Sequence, residues 1–265
     1  MSAFHTIEFS DPRFERDGLR WITVKSAALK QRADLTLFVP PVELLPAHTP
    51  LVILLHGIYG SHWAWALKGG AHRTAQRLIR TGRIPPMVLA MPSDGLWGDG
   101  SGYVRHAAQD FERWIVEEVP AAVREAVKLV TTKSPLFISG LSMGGLGAMR
   151  IGAKYGKRFR AISAHSSATN LKQLAAAVEE PMSRYRVAAK DFSVLDAIVR
   201  HRKTLPPLRF DCGTEDRLLR YNRELHAELE ARDIPHQYEE FPGGHEWPYW
   251  EKHVADSLKF FATKL

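Results

Sequence analysis

A serine between two glycines follows directly on a short apolar run, and this arrangement leaves the chain few possible folds. The run Leu136-Phe137-Ile138-Ser139 leads into Gly140-Leu141-Ser142-Met143-Gly144 and then into a helical stretch containing glycine and alanine. A strand that turns sharply into a helix needs unusual backbone angles, and flanking glycines leave room for them. The pattern predicts a nucleophile elbow that holds the hydroxyl of Ser142 above a sheet. The same five residues also fit a plain turn with a solvent-exposed serine.

An acidic turn and a histidine follow Ser142 in the order that a serine–acid–histidine relay requires. The turn Gly213-Thr214-Glu215-Asp216 comes after one extended run, and Gly243-Gly244-His245 comes after the next. A helical pattern over 217–231 lies between them, which would bring both turns to the same edge of a parallel sheet. We therefore predict that His245 accepts the proton of the serine hydroxyl and that Asp216 orients the imidazole.

Alternatives remain for both partners of the serine. Glu215 is the rival of Asp216, and Asp211 is a weaker one because it lies inside the extended run. His245 is one of twelve histidines and also fits a surface loop.

A second glycine turn predicts where a negatively charged oxygen would bind. The buried-strand pattern Leu51-Val52-Ile53-Leu54-Leu55 ends in His56-Gly57-Ile58-Tyr59-Gly60. We expect an oxyanion hole made of the backbone N–H groups of Ile58 and Met143, the residue after the serine. A simple strand-ending turn explains His56-Gly57 equally well.

Four segments together resemble the esterase family related to esterase D. That family of α/β-hydrolases includes S-formylglutathione hydrolases, tributyrin and feruloyl esterases and, more distantly, mycolyltransferases. The resemblance runs from about Trp21 to the C-terminus. It rests on Leu-Leu-His-Gly-Ile-Tyr-Gly-Ser at 54–61, Gly-Leu-Ser-Met-Gly-Gly at 140–145, Cys-Gly-Thr-Glu-Asp at 212–216 and Gly-Gly-His-Glu-Trp at 243–247.

The resemblance implies the same assignments that the residues suggest. It puts the nucleophile on Ser142, the acid on Asp216, the base on His245 and the oxyanion amides on Ile58 and Met143. One departure argues against a formylglutathione substrate. The stretch after Gly213 reads Thr-Glu-Asp-Arg-Leu-Leu, where formylglutathione hydrolases have a segment like Asp-Pro-Phe-Leu.

Alternating strand and helix patterns predict an α/β-hydrolase fold, with a mostly parallel sheet covered by helices on both faces. A leading antiparallel pair is expected at 21–25 and 34–39, and Pro120 should kink or split the helix around it. The chain of 265 residues with 45% hydrophobic content fits one domain, 1–265. Further strands are predicted at 51–55, 87–91, 135–139, 160–164, 207–212 and 236–241, and helices at 72–80, 108–128, 143–154, 217–231 and 247–262.

The segment 169–204 is predicted to be a small helical insertion that acts as a lid over the substrate site. It has helical patterns at 171–178 and 192–199. Its positive charge fits either a solvated surface or a preference for acidic esters. The basic residues are Arg184, Arg186, Lys190, Arg200, Arg202 and Lys203.

Aromatic residues near the predicted catalytic loops are candidates for substrate contacts. Tyr59, Trp65, Trp97 and Trp247 would supply flat apolar walls for an acyl chain, an aryl acid or a sugar face. Tryptophans near strand ends also serve as core packing, which is the competing interpretation.

Several function classes find no support in the sequence. His245-Glu246 is not followed by a histidine at the spacing of a zinc helix, and the single cysteine, Cys212, falls in a predicted buried strand. We therefore expect no metal and no cofactor. The formal charge of +7 permits nonspecific contact with polyanions, but no nucleic-acid module is recognisable. No apolar run of membrane-spanning length and no secretory signal is visible, so a cytoplasmic protein without membrane partners is expected.

These patterns favour a serine carboxylesterase that forms an acyl-enzyme on Ser142 and acts on a small-molecule ester. One alternative is acyl transfer with the same three residues, in which an alcohol replaces water. A hydrolase fold retained as a non-catalytic binding protein is the other alternative. The oligomeric state cannot be read from the sequence.

Overall fold

One mixed sheet organises the protein in a computed structural model that describes residues 2–188 and 192–265. Within these ranges the sheet has nine strands. They are β1 Ile7–Phe9, β2 Leu19–Ser26, β3 Gln31–Phe38, β4 Leu51–Leu55, β5 Val88–Pro92, β6 Leu136–Leu141, β7 Ala161–His165, β8 Leu208–Gly213 and β9 Gln237–Phe241. Their spatial order is β1-β2-β3-β5-β4-β6-β7-β8-β9.

The sheet is antiparallel at one end and parallel over the rest. β1, β2 and β3 form antiparallel neighbours, and β3 pairs with β5 in the same sense. From β5 to β9 the neighbouring strands are parallel. Parallel strands carry their carboxyl ends to one edge, so the loops after β4, β6, β8 and β9 meet there.

Helices cover both faces of the sheet. They are α1 Ala64–Leu67, α2 Ala71–Arg80, α3 Phe111–Arg113, α4 Val119–Ala126, α5 Met143–Lys154, α6 Leu171–Ala175, α7 Val194–Arg200, α8 Leu219–Glu230 and α9 Trp247–Ala262. The buried residues of α2 and α9 belong to the apolar cluster on one face, and those of α4, α5, α7 and α8 belong to the cluster on the other.

Strand β4 shows why the central strands read as continuous apolar runs. Val52 and Leu54 pack into the cluster with α2 and α9, whereas Leu51, Ile53 and Leu55 pack into the opposite cluster. Successive side chains of a strand point to opposite faces, so a strand covered on both faces needs an apolar residue at every position. The predicted fold class is confirmed.

The structure also contains features that the sequence patterns did not predict. β1 is a three-residue strand, and α1 is a four-residue helix. The predicted helix around Pro120 is divided as expected, because a π-helical turn at Trp114–Glu118 lies between α3 and α4. Proline has no N–H to donate to the preceding turn, which accounts for the interrupted helix at this point.

The segment predicted as an insertion contains α6 and α7. Val194 and Ile198 of α7 are fully buried in the cluster that also holds α5, so this part of the segment is core. The earlier part, 176–188, contains a single 3₁₀ turn at Met182–Arg184. Lys190, one of the basic residues of the segment, lies outside the described residues. The role of the segment 169–204 as a lid stays a prediction.

Helix length and hydropathy bear on membrane insertion. Among the residues that the structure describes, no helix is long and apolar enough to cross a membrane.

Candidate active site

Ser142 occupies the strained turn between β6 and α5. Its backbone angles are φ +54° and ψ −117°, a region that non-glycine residues rarely adopt. The glycines on either side are required by close backbone approach. A Cβ on Gly140 would lie 2.2 Å from the carbonyl oxygen of Gly144, and one on Gly144 would lie 2.2 Å from that of Leu55. The turn therefore requires glycine at both positions, and it has the geometry of a nucleophile elbow.

The structure brings the three predicted relay residues together. The Nε2 atom of His245 is 3.0 Å from the Oγ atom of Ser142, and its Nδ1 atom is 2.9 Å from Oδ2 of Asp216. Asp216 follows β8, and His245 stands between β9 and α9. Because a carboxylate only accepts, Nδ1 carries the proton and Nε2 faces the serine hydroxyl as an acceptor. This is the arrangement that proton removal from a serine needs.

Asp216 is held in its ionised form. The residue is 5% exposed, and burial by itself raises the pKa of its carboxyl group. The hydrogen bond and the charge of His245, together with the N–H of Leu218 that donates to Oδ1 at 2.7 Å, outweigh burial. The net pKa is lowered, so the carboxylate remains charged and accepts the imidazole N–H at neutral pH.

Glu215, the rival acid, lies apart from the relay. Its carboxylate accepts the N–H of Gly243 at 2.5 Å and the hydroxyl of Thr214 at 2.7 Å. Glu215 therefore ties the loop before His245 to the loop after β8, and the histidine contacts Asp216 instead.

Asp211, the weaker rival, belongs to a second and fully buried serine–histidine–aspartate series that the sequence patterns did not reveal. Its carboxylate lies 2.9 Å from Nδ1 of His165, whose Nε2 lies 2.7 Å from the hydroxyl of Ser257. Arg209 and Tyr249 also donate to Asp211. All three members of the series are 0% exposed. No substrate can reach them, so this series is structural.

The predicted oxyanion residues lie next to Ser142. Met143 is the first residue of α5, so its N–H has no partner within the helix. A Cβ on Gly57 would lie 3.3 Å from Cβ of Ser142, which brings the Gly57–Ile58 peptide close to the serine on its other side. The two N–H groups belong to turns that adjoin the same hydroxyl.

The peptide between Gly57 and Ile58 is oriented by His56. The carbonyl oxygen of Gly57 accepts from Nδ1 of His56 at 2.7 Å, and the N–H of Asp94 donates to Nε2 at 3.3 Å. Both contacts require the same neutral tautomer, with the proton on Nδ1. Because the Gly57 carbonyl and the Ile58 N–H belong to one peptide plane, fixing the first also fixes the direction of the second.

A pocket of about 420 Å³ surrounds the hydroxyl of Ser142, and we call it the Ser142 pocket. Among the predicted substrate residues, Tyr59 and Trp247 line it. Trp63 and Trp250 add two further indole rings. The other lining residues are Gly57, Ile58, Gly60, Ala64, Lys68, Leu141, Arg217, His245 and Glu246.

Two predicted substrate residues are corrected by the structure. Trp65 is 1% exposed, its Nε1 donates to the carbonyl oxygen of Leu55 at 2.9 Å, and it supports Trp247 edge-on from behind. Trp97 packs against His106 and Tyr185 away from the pocket. Both serve as core or rim packing, which was the competing interpretation of these tryptophans.

Two cations in the Ser142 pocket were missed by the sequence analysis. Arg217 directly follows the relay aspartate, and Lys68 lies with its Nζ atom 5.6 Å from the ring centroid of Trp247. The described basic residues of 184–203, for which a solvated surface and a preference for acidic esters were both considered, are not among the residues that line this pocket. The position of Arg217 immediately after Asp216 was the available signal.

Comparisons with known proteins identify the family of the chain. The family model described as Putative esterase matches residues 26–261. A curated acetyl esterase of Caldicellulosiruptor saccharolyticus is 29% identical over 228 residues, which cover 79% of this chain and 82% of the relative. The residues that the family model matches include the loops that carry the three relay residues.

Solved structures share the fold. A ferulic acid esterase matches with a TM-score of 0.81 and 22% identity, and the match covers 98% of this chain and 99% of the chain of that esterase. An S-formylglutathione hydrolase from Staphylococcus aureus matches with a TM-score of 0.76 and 16% identity, and the match covers 97% of this chain and 99% of the chain of that hydrolase. The predicted family resemblance is confirmed: the chain belongs to the Putative esterase family and is a carboxylic ester hydrolase with the α/β-hydrolase fold.

Proposed function

We propose that the protein hydrolyses carboxylic esters through an acyl-enzyme on Ser142. The observation that carries this proposal is the unbroken hydrogen-bond series from the Ser142 hydroxyl through His245 to Asp216, with distances of 3.0 and 2.9 Å. A serine hydroxyl is too weak an acid to ionise alone at neutral pH, so a nucleophilic serine needs an adjacent base of this kind.

In the first half of the reaction, Oγ of Ser142 attacks the ester carbonyl while its proton passes to Nε2 of His245. The tetrahedral intermediate then collapses: the bond to the alcohol oxygen breaks, and His245 gives its proton to the departing alcohol. Asp216 stabilises the transient imidazolium through Nδ1. The products of this half are the free alcohol and an ester between the acyl group and Ser142.

In the second half, water takes the place of the alcohol. His245 removes a proton from water, the hydroxide oxygen bonds to the acyl carbon, and the bond to Oγ breaks as the proton returns to Ser142. The carboxylic acid leaves, and the enzyme is restored. In both halves the N–H groups of Ile58 and Met143 receive the negatively charged oxygen, and the N-terminal end of α5 favours the same charge.

The size of the pocket supports a short or medium acyl group. Its volume of about 420 Å³ is near the lower end of ligand clefts, which span roughly 300 to 1,000 Å³. The acetyl esterase relative is named for a short acyl group, which agrees with this size.

The segment 176–188 contacts the turn that carries the predicted oxyanion N–H of Ile58. The hydroxyl of Tyr59 donates to the carbonyl oxygen of Ala177, which ties the oxyanion turn to this segment. Tyr59 itself is 68% exposed and lines the Ser142 pocket. We propose that this part of the predicted lid shapes the entrance through which the ester approaches.

Covalent labelling with a fluorophosphonate tests the proposed nucleophile. We expect one label per chain on the peptide that contains Ser142, and none in the Ser142→Ala variant. Ser257→Ala is the matched control, because Ser257 belongs to the buried series and should not react. Persistent labelling of Ser142→Ala would contradict the assignment.

Product analysis separates water from an alcohol as the acyl acceptor. We expect free acid as the main product when a para-nitrophenyl ester is turned over in buffer with an added sugar alcohol. A predominantly transesterified product would instead identify an acyltransferase. Absence of both labelling and turnover would point to a binding protein.

A further inference from the structure

Arg217 is an unused cation at the mouth of the Ser142 pocket. It is exposed, it lines the pocket with Ser142 and His245, and no ion pair or hydrogen bond joins its guanidinium to another described residue. Arg220 and Arg223 of α8, by contrast, form ion pairs with Glu224 and Glu240. An unpaired guanidinium beside a nucleophile is available to a substrate.

Lys68 joins the Ser142 pocket to a second cavity. Its side chain is exposed and lies against Trp247, with Nζ 5.6 Å from the ring centroid. It lines the Ser142 pocket and also a neighbouring cavity of about 890 Å³. A substrate that reaches beyond the Ser142 pocket in this direction passes Lys68.

The neighbouring cavity, which we call the basic groove, is rich in positive charge. Five cationic side chains line it against two acidic ones. Arg73 and Asp17 pair only loosely, at 3.7 Å and with highly exposed side chains, so they neutralise each other weakly. The cations are Arg16, Lys68, Arg73, Arg77 and Lys252, and the acids are Asp17 and Glu251.

We propose that the substrate is an ester carrying a carboxylate or another anionic group, which Arg217 and Lys68 bind beside Ser142, with any longer anionic chain following the basic groove. The proposal rests on the proposed function and names its substrate class. Guanidinium groups bind carboxylates through two parallel hydrogen bonds, and clustered cations raise the local concentration of anions. Among the residues that the structure describes, Glu246 is the one acid that lines the Ser142 pocket, so cations outnumber acids there as well.

Matched ester pairs test the proposal. For the acyl side the pair is para-nitrophenyl hemiglutarate and the uncharged para-nitrophenyl valerate. For the alcohol side it is the acetate ester of a hydroxynitrobenzoate and that of the corresponding carboxamide. We expect kcat/KM, corrected for spontaneous hydrolysis, to favour the anionic member of at least one pair by roughly fivefold to tenfold at low salt, which is what two exposed charge pairs together can supply. The favoured pair identifies which side carries the charge.

Variants and salt identify the source of the preference. Arg217→Gln and Lys68→Gln should each lower the anionic-to-neutral ratio about threefold or more, and salt near 1 M should shrink it because screening then acts within about 3 Å. Arg220→Gln, which changes an exposed arginine of α8 that pairs with Glu224, should leave the ratio unchanged. Because both substrates are measured on one preparation, the ratio does not depend on how much enzyme is folded.

The outcomes distinguish this proposal from the proposed function. Hydrolysis of the neutral esters with no preference for either anionic ester would overturn the substrate class and leave the Ser142 mechanism standing. A preference that survives both variants would also overturn it. If wild-type protein hydrolyses no ester, the proposed function itself fails.

Discussion

At the scale of single residues, two serine–histidine–aspartate series lie in one chain, and burial gives them different roles. The Ser142 series opens into a pocket, whereas the Asp211 series is closed to solvent. Both place a carboxylate on Nδ1 of a histidine and a hydroxyl on Nε2. Chemistry therefore depends on access as much as on the residue types, and the closed series serves stability.

Asp211 should make stability depend on acid pH. Burial raises the pKa of its carboxyl group, but the opposing effects of His165 and Arg209 are larger together, and the net pKa is about 2. A pKa below the unfolded value stabilises the fold above pH 4, and this contribution is lost as pH falls toward 2. We expect the ionised Asp211 to contribute about 2 kcal/mol to the free energy of unfolding near neutral pH. Urea unfolding at a series of pH values measures it.

Asp211→Asn is the matched variant for that titration. Near neutral pH we expect the variant to lose about 3 kcal/mol of unfolding free energy, because Arg209 loses its buried carboxylate partner and keeps the half-exposed carboxylate of Glu239. The difference in unfolding free energy between wild type and variant should narrow as pH falls from 5 to 2. A difference that stays constant over this range would show that Asp211 does not titrate as proposed.

At the scale of secondary structure elements, buried runs were predictable and short elements were not. The strands from β4 to β9 were predicted to within about two residues, because each is an apolar or alternating run bounded by turn residues. β1 and α1 are too short to develop a period, and tertiary contacts stabilise them. The π-helical turn before Pro120 also depends on packing that a local pattern does not contain.

The contact between α5 and β4 should tolerate no side chain at Gly144. A Cβ there would lie 2.2 Å from the carbonyl oxygen of Leu55, and neither backbone can move without separating the elbow from the sheet. We expect Gly144→Ala to lose about 3 kcal/mol or more of unfolding free energy. Gly244→Ala is the comparison, since its Cβ would lie 3.8 Å from its nearest neighbour, the carbonyl oxygen of Glu215. Equal losses in both variants would refute this account.

At the scale of the whole molecule, the topology explains why the relay residues could be found from sequence and the rest of the pocket could not. Parallel strands bring the turns after β6, β8 and β9 to one edge, so the order serine, acid, histidine indicated Ser142, His245 and the acidic turn between them. Within that turn Asp216 was preferred, and Glu215 stayed a rival. Side-chain direction is decided by packing. The side chains of Trp65 and Trp97 therefore pack inside the protein and not in the pocket. Lys68 and Arg217 line the pocket, although no sequence motif marks them.

The most direct test of the central claim is rapid-quench mass spectrometry of the wild-type enzyme during turnover of a short para-nitrophenyl ester. We predict a transient mass increase equal to the acyl group on the peptide that contains Ser142, formed together with the first nitrophenol and lost as acid appears. Turnover at the same rate without any acyl group on Ser142 would contradict the acyl-enzyme mechanism.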